Sequence, residues 1–126
     1  MKKELAALFV LVLVFAVSLV NIHFLNRLTG NIVSLVEQAD TFIREENWER
    51  ARDRAEKALK RWENSDAYTH IVLRHSEIES ASVALGDLIK EIYAENAGAA
   101  RGAARSAVAR MRSIASVERL RFNNIF

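Results

Sequence analysis

The chain has 126 residues, no Cys, no Pro, 4 Gly and a formal net charge of +2. Without Cys it carries no disulfide framework, thiolate metal site or Cys nucleophile, and the lack of Pro with so few Gly argues against a turn-rich all-β fold. Apolar residues make up 51% of the sequence, and 19 of them fall within residues 1–25, which leaves an ordinary soluble composition for the remainder. The composition therefore reads as a membrane segment followed by one small helical domain.

Leu5 to Val20 is apolar at every position except Ser18. Extended to Leu25 it is about 30 Å long as a helix, the thickness of a bilayer's hydrocarbon core, with Asn21 and His23 at the far interface. Lys2 and Lys3 flank the near side, and Arg27 is the first basic residue on the far side. Because Lys and Arg stay cytoplasmic, the N-terminus is expected inside the cell and the rest of the chain outside. Ala16-Val17-Ser18 offers a competing signal-peptide cleavage site, but the residues after it remain apolar, which suits an uncleaved anchor. The expected organisation is a single-pass anchor over residues 1–26 in the cell membrane and an extracytoplasmic helical domain over residues 27–126.

Leu28, Ile32, Leu35, Val36, Ala39, Phe42 and Ile43 recur at spacings of three and four, one apolar stripe on a helix continuing from the anchor. Glu45-Glu46-Asn47 reads as a turn with Asn47 as N-cap. A second helix carries Trp48, Ala51, Ala55, Ala58, Leu59 and Trp62, whose small residues allow close approach to a neighbour, opposite a charged face that includes Lys57 and Lys60. Asn64-Ser65-Asp66 is the next turn signal. A third helix is expected from there to about Asn96, with Ile71, Ile78, Leu85, Ile89 and Ile92 as its stripe. Asn96-Ala97-Gly98 opens a fourth, with Ala100, Ala104, Val108, Met111, Ala115 and Phe122 on one side. Its small-residue row, Gly98, Gly102 and Ser106, is expected to pack tightly against another helix. The fold class is all-α: a transmembrane helix, then an antiparallel bundle of about four helices built from hairpins, with loosely tetratricopeptide-like packing around Asn47–Trp62.

Arg74, His75 and Ser82 fall within or at the edge of the third stripe, and buried polar groups need partners. They form either a satisfied core network, with Arg74 meeting Glu37 or Asp40, or a polar pocket that binds a ligand or senses pH through His75. His75 and Glu79 at i,i+4 match no metal motif, so no metal or other cofactor is expected. On the fourth helix Arg101, Arg105, Arg112 and Arg119 form a column. Residues 96–126 sum to +5 and residues 37–95 to −5, so the column either pairs with acids of the earlier helices or meets an anionic partner, outer-leaflet headgroups or an acidic wall polymer. Nucleic acid is not expected outside the cell. Ile125 and Phe126 either fold back or dock into a partner, and Trp48 and Trp62 are core residues or interface anchors. No G-x-S-x-G and no Gly-rich phosphate loop is present, so no enzymatic activity is expected.

The anchor, the Trp48…Ala51…Ala58…Trp62 helix, His75 early in a long helix and the terminal Asn124-Ile125-Phe126 together resemble a family of short, membrane-anchored bacterial proteins classed as a domain of unknown function, found largely in endospore-forming Firmicutes. The resemblance spans the whole chain, departs from the family in the Ala- and Arg-rich fourth helix, and implies a single-pass membrane protein without implying an activity. The expected role is an adaptor or structural protein of the cell envelope that contacts another envelope protein or its own copies through Trp48, Trp62, Arg101, Arg105, Arg112, Arg119, Ile125 and Phe126. The alternative is an extracytoplasmic sensing bundle with its pocket at Arg74, His75 and Ser82.

Overall fold

The first helix, α1, runs unbroken from Lys2 to Arg44 in the computed structural model, which describes residues 1–125 apart from the side chains of Val72, Glu118, Arg119 and residues 121–125. With no Pro in the chain and Gly30 at an ordinary negative φ, nothing interrupts its hydrogen-bond ladder. Its first half is exposed on every side, and an 18-residue window there has a mean hydropathy of 2.8 and no buried residue. Among the described residues it is the one helix long and apolar enough to cross a membrane. Burial begins at Leu25 and continues through Leu28, Ile32, Val36, Ala39 and Ile43, the one-sided stripe of a bundle helix. A single rod thus changes from apolar on all faces to apolar on one.

Four more helices follow: α2 (Trp48–Asn64), α3 (Asp66–Val72), α4 (His75–Tyr93) and α5 (Ala97–Ile125). α1 packs against α2 and α5, and α4 packs against the same two, so the four long helices close into a ring, with α3 as a short bridge between α2 and α4. The turns after α1 and α4 are short, which makes each of those hairpins antiparallel. Small residues face large ones across the ring. Ala51, Ala55 and Ala58 of α2 and Ala100, Ala104 and Ala107 of α5 are buried against Ile32, Ile43, Leu85, Leu88 and Ile92 of α1 and α4. Trp62 is 2% exposed, and its indole N–H donates to Ser82 Oγ at 3.1 Å, which satisfies the polar edge of an otherwise apolar side chain. At the far end of the bundle the Tyr93 hydroxyl donates to Glu56 Oε1 at 2.6 Å. That bond, with the carboxylate's charge, holds the phenol above its ordinary pKa, so the α2–α4 link is present at neutral pH and is lost as alkali ionises Tyr93.

Two expectations need correction. The third helix is not continuous: Leu73 is extended (φ −110°, ψ 154°), as is Arg74 (φ −70°, ψ 145°), and α4 starts anew. Leu73 turns its side chain into the core instead of continuing the helix, while Glu77 accepts a hydrogen bond from the Arg74 N–H at 3.3 Å and stabilises the new start. Ile71, ahead of the break, is consequently 83% exposed rather than part of the stripe. The row Gly98, Gly102 and Ser106 faces outward, and a Cβ at Gly102 would meet nothing within 4 Å. The packed face of α5, which lies against α1 and α4, is the neighbouring row, Ala100, Ala104, Ala107 and Met111.

The two hairpin turns share one geometry. Glu46 and Glu95 adopt left-handed backbone (φ 57° and 54°), and each is followed by an Asn whose side chain caps the next helix: Asn47 accepts from the Arg50 N–H and Asn96 from the Ala99 N–H. Backbone bonds from Asn47 N to Phe42 O and from Asn96 N to Glu91 O complete the helix-ending motif that usually places glycine at the left-handed position. Glu46→Gly and Glu95→Gly should each raise stability by about 0.5–1 kcal/mol, measured as a higher urea midpoint of the full chain in micelles by far-ultraviolet circular dichroism.

Candidate functional site

The arginines of α5 meet α1. Arg101 Nε donates to Asp40 Oδ1 at 3.3 Å, and Arg112 Nη2 lies 3.5 Å from Glu37 Oε1. Asp40 also lies 3.9 Å from Arg44 one turn on. Arg105 is exposed between the two paired arginines and lines a groove of about 320 Å³ with Glu37, Asp40 and Val108. Two members of the column are therefore matched to acids of the first helix, and Arg105 has no ion pair among the described residues. The side chains of Arg119, Ile125 and Phe126 lie outside the described residues. Trp48 is half-buried at the edge of the core and Trp62 is within it, which removes Trp62 from any partner surface.

The residues singled out on the third helix do not converge. Arg74 is the N-cap of α4 and His75 its first residue, and both are exposed at that end. The His75 side chain is 81% exposed, with Nε2 3.8 Å from Glu79. Ser82 is half-buried and engaged by Trp62. Glu37 and Asp40, the carboxylates expected to meet Arg74, face α5 instead. None of five grooves on the described surface is lined by Arg74, His75 or Ser82. Among the described residues no group of three His, Asp or Glu side chains is placed to hold a metal ion.

A second charged surface escaped the sequence reading. Because α2 runs back along α1, its last two turns lie beside residues 24–35 of α1 and enclose a groove of about 660 Å³. Arg27, Lys57, Lys60 and Arg61 line it, with Asn31, Asn64 and Ser65 as the uncharged polar groups and no acidic residue. Lys57 reaches Asp53 at 3.2 Å outside the groove, whereas Arg27, Lys60 and Arg61 have no carboxylate within 4 Å among the described residues. Phe24, Leu28 and Leu35 supply its apolar side. Just beyond, α3 is tied to α1: the Tyr68 hydroxyl donates to the Asn21 backbone carbonyl at 2.9 Å and also meets the Asn21 side chain, and its ring lies 4.4 Å from that of Phe24. This clamp sits where the fully exposed apolar part of α1 ends.

The Arg101–Asp40 pair is part-exposed, so its Coulomb attraction is largely screened and it orients α5 more than it stabilises the fold. A double-mutant cycle with Arg101→Gln and Asp40→Asn should return a coupling of no more than about 1 kcal/mol, falling further in high salt, when unfolding of the four proteins is compared.

Comparison with curated proteins and with solved structures returns no match. The profile of a family described as a domain of unknown function, DUF4363, matches residues 19–125, from the last turn of the exposed apolar run through the whole bundle. The match takes in the Trp48–Trp62 helix that carried the resemblance but not residues 1–18, so it covers less than the whole chain expected; over residues 19–125 the chain belongs to the DUF4363 family.

Proposed function

We propose that the protein is a membrane-anchored helical adaptor of the bacterial cell envelope. In this reading α1 crosses the bilayer once through residues 5–25, with Lys2 and Lys3 on the cytoplasmic side, and holds the bundle outside, where it works through protein–protein contacts and not through catalysis. The observation that supports it is the unbroken α1: the segment apolar on all sides and the stripe buried in the bundle are one helix, from Lys2 to Arg44. A domain on a flexible tether samples many positions, whereas one built on the emerging helix is held at a set height and rotation relative to the membrane. That property suits a protein whose role is to place a surface. The surface offered is the α5 side of the bundle, where Arg105 stands between two arginines already held by α1; Trp48, half-buried at the start of α2, and Arg119, Ile125 and Phe126, whose side chains lie outside the described residues, are the further contact residues of this proposal. Its partner is another envelope protein or a second copy.

The chain has no Cys, so Glu49→Cys introduces a sole thiol on an exposed position of α2. An impermeant maleimide should label it fully on intact cells. Labelling only after lysis would put the bundle in the cytoplasm and contradict the proposal. A photoreactive residue at position 105 in the same cells should give one discrete protein adduct or a homodimer. Efficient external labelling without any adduct would leave the anchor standing and remove the adaptor role.

A further inference from the structure

Like charges brought together on two helices repel, and several cations of this bundle, Arg101, Arg112 and Arg44 among them, lie beside a carboxylate. In the groove between α1 and the end of α2 Lys57 alone has such a partner, Asp53, which lies outside the groove. Four cations, Arg27, Lys57, Lys60 and Arg61, line one concavity that contains no acid. Arrangements of this kind are stabilised when an anion occupies them.

The height of the groove narrows the choice of anion. If Leu5 marks the near edge of the hydrocarbon, twenty residues of helix bring α1 to about Phe24 at the opposite edge. Arg27 then stands about 4.5 Å further along the axis, at the level of lipid phosphates, and Arg61 faces it from the end of α2. Phe24 and Leu28 continue the apolar surface of α1 into the lower part of the groove. Cations beside an apolar strip that runs from Phe24 through Leu28 to Leu35 match one amphiphilic molecule. Guanidinium groups bind phosphate oxygens as a fork, lysines act as point charges whose stems cover apolar surface, and the Asn64 amide can donate to a remaining oxygen. In the adjoining clamp Tyr68 lies on Phe24, and Ile71 of the same short helix is exposed; Tyr is characteristic of membrane interfaces.

We infer that this groove holds the phosphate of an anionic phospholipid from the leaflet facing the bundle. The inference rests on the proposed anchoring of α1. A net-anionic headgroup is favoured over a zwitterionic one because the lining offers no carboxylate to receive a headgroup ammonium. The bound lipid would fix the rotation of the bundle about α1, turning the α2 side toward the membrane surface.

The test uses the full chain in phosphatidylcholine vesicles that contain a minor fraction of phosphatidylglycerol with a photoreactive group at its headgroup. Adducts are expected on residues 57–65 of α2, and an equivalent phosphatidylcholine probe should give far fewer. K57Q/K60Q/R61Q should lower the yield at least about tenfold, since each cation near an anionic surface is worth roughly a fivefold change. K57R/K60R/R61K should retain it, as should R44Q/R50Q/K90Q, which removes the same charge from the far end of the bundle. Equal yields from the two lipids in the unaltered chain, or no loss in the triple Gln variant, would overturn the inference. Displacement by inorganic phosphate would assign the groove to a soluble anion and overturn it equally. A second probe on the acyl chain separates the premise from the inference. Without adducts on residues 5–20 the anchor itself fails, whereas with them and none on α2 only the lipid site fails.

Discussion

The burial of one stripe in the second half of α1 is the constraint from which the rest of the structure follows. Leu25, Leu28, Ile32, Val36, Ala39 and Ile43 must be covered, and α2 and α5 cover them from two sides. The alanines at Ala51, Ala55, Ala58, Ala100 and Ala104 let those helices come close, and α4 fills the remaining side with Leu85, Leu88 and Ile92. Because the first half of the same helix has no covered face at all, the bundle is an extension of a potential membrane span and not a body attached to one. Any force on either half is transmitted through a continuous hydrogen-bond ladder, without a hinge at Gly30.

The charges are distributed around this rod in two distinct ways. On the α5 side, acids of α1 meet arginines of α5, and the matched pairs Asp40–Arg101 and Glu37–Arg112 set rotation at little energetic gain. On the α2 side, Arg27 meets three further cations and no acid. The net charge of +2 conceals this difference, as does the −5 balance of residues 37–95, in which Lys57, Lys60 and Arg61 are outnumbered along the chain but not in space.

Much of the architecture was legible because it depends on local pattern. The stripe of α1, the small-residue face of α2, the cap at Asn47 and the turn at Asn96 each lie within one short segment and were read from spacing and turn chemistry. The break at Leu73 was not, since no Gly or Pro marks it and Ile71, Ile78 and Leu85 continue a helical spacing across it. What decides the matter is the pull of the core on Leu73, which exists only once α2 and α4 are in place. The Arg74–His75–Ser82 grouping fails for another reason: Arg74 and His75 stand exposed at the very start of α4, whereas Ser82, two turns on, is taken up by the Trp62 indole. The basic groove was illegible for a related reason: Arg27 and Lys57 belong to different helices, and only the antiparallel register of α1 and α2 brings them together. Read along the chain, Lys57 and Lys60 are an ordinary solvated face.

The central claim is that α1 passes from lipid to protein surroundings as one rigid helix. A nitroxide scan through residues 12–36, one position at a time in liposomes, measures it directly by collision with oxygen and with a water-soluble relaxer. The expected result is uniformly high oxygen contact up to about Val20, followed without a gap by a 3.6-residue alternation in which Leu25, Leu28, Ile32 and Val36 are protected from both. Loss of helical periodicity anywhere between residues 20 and 31, or equal access of the water-soluble relaxer to residues 12–20, would contradict it.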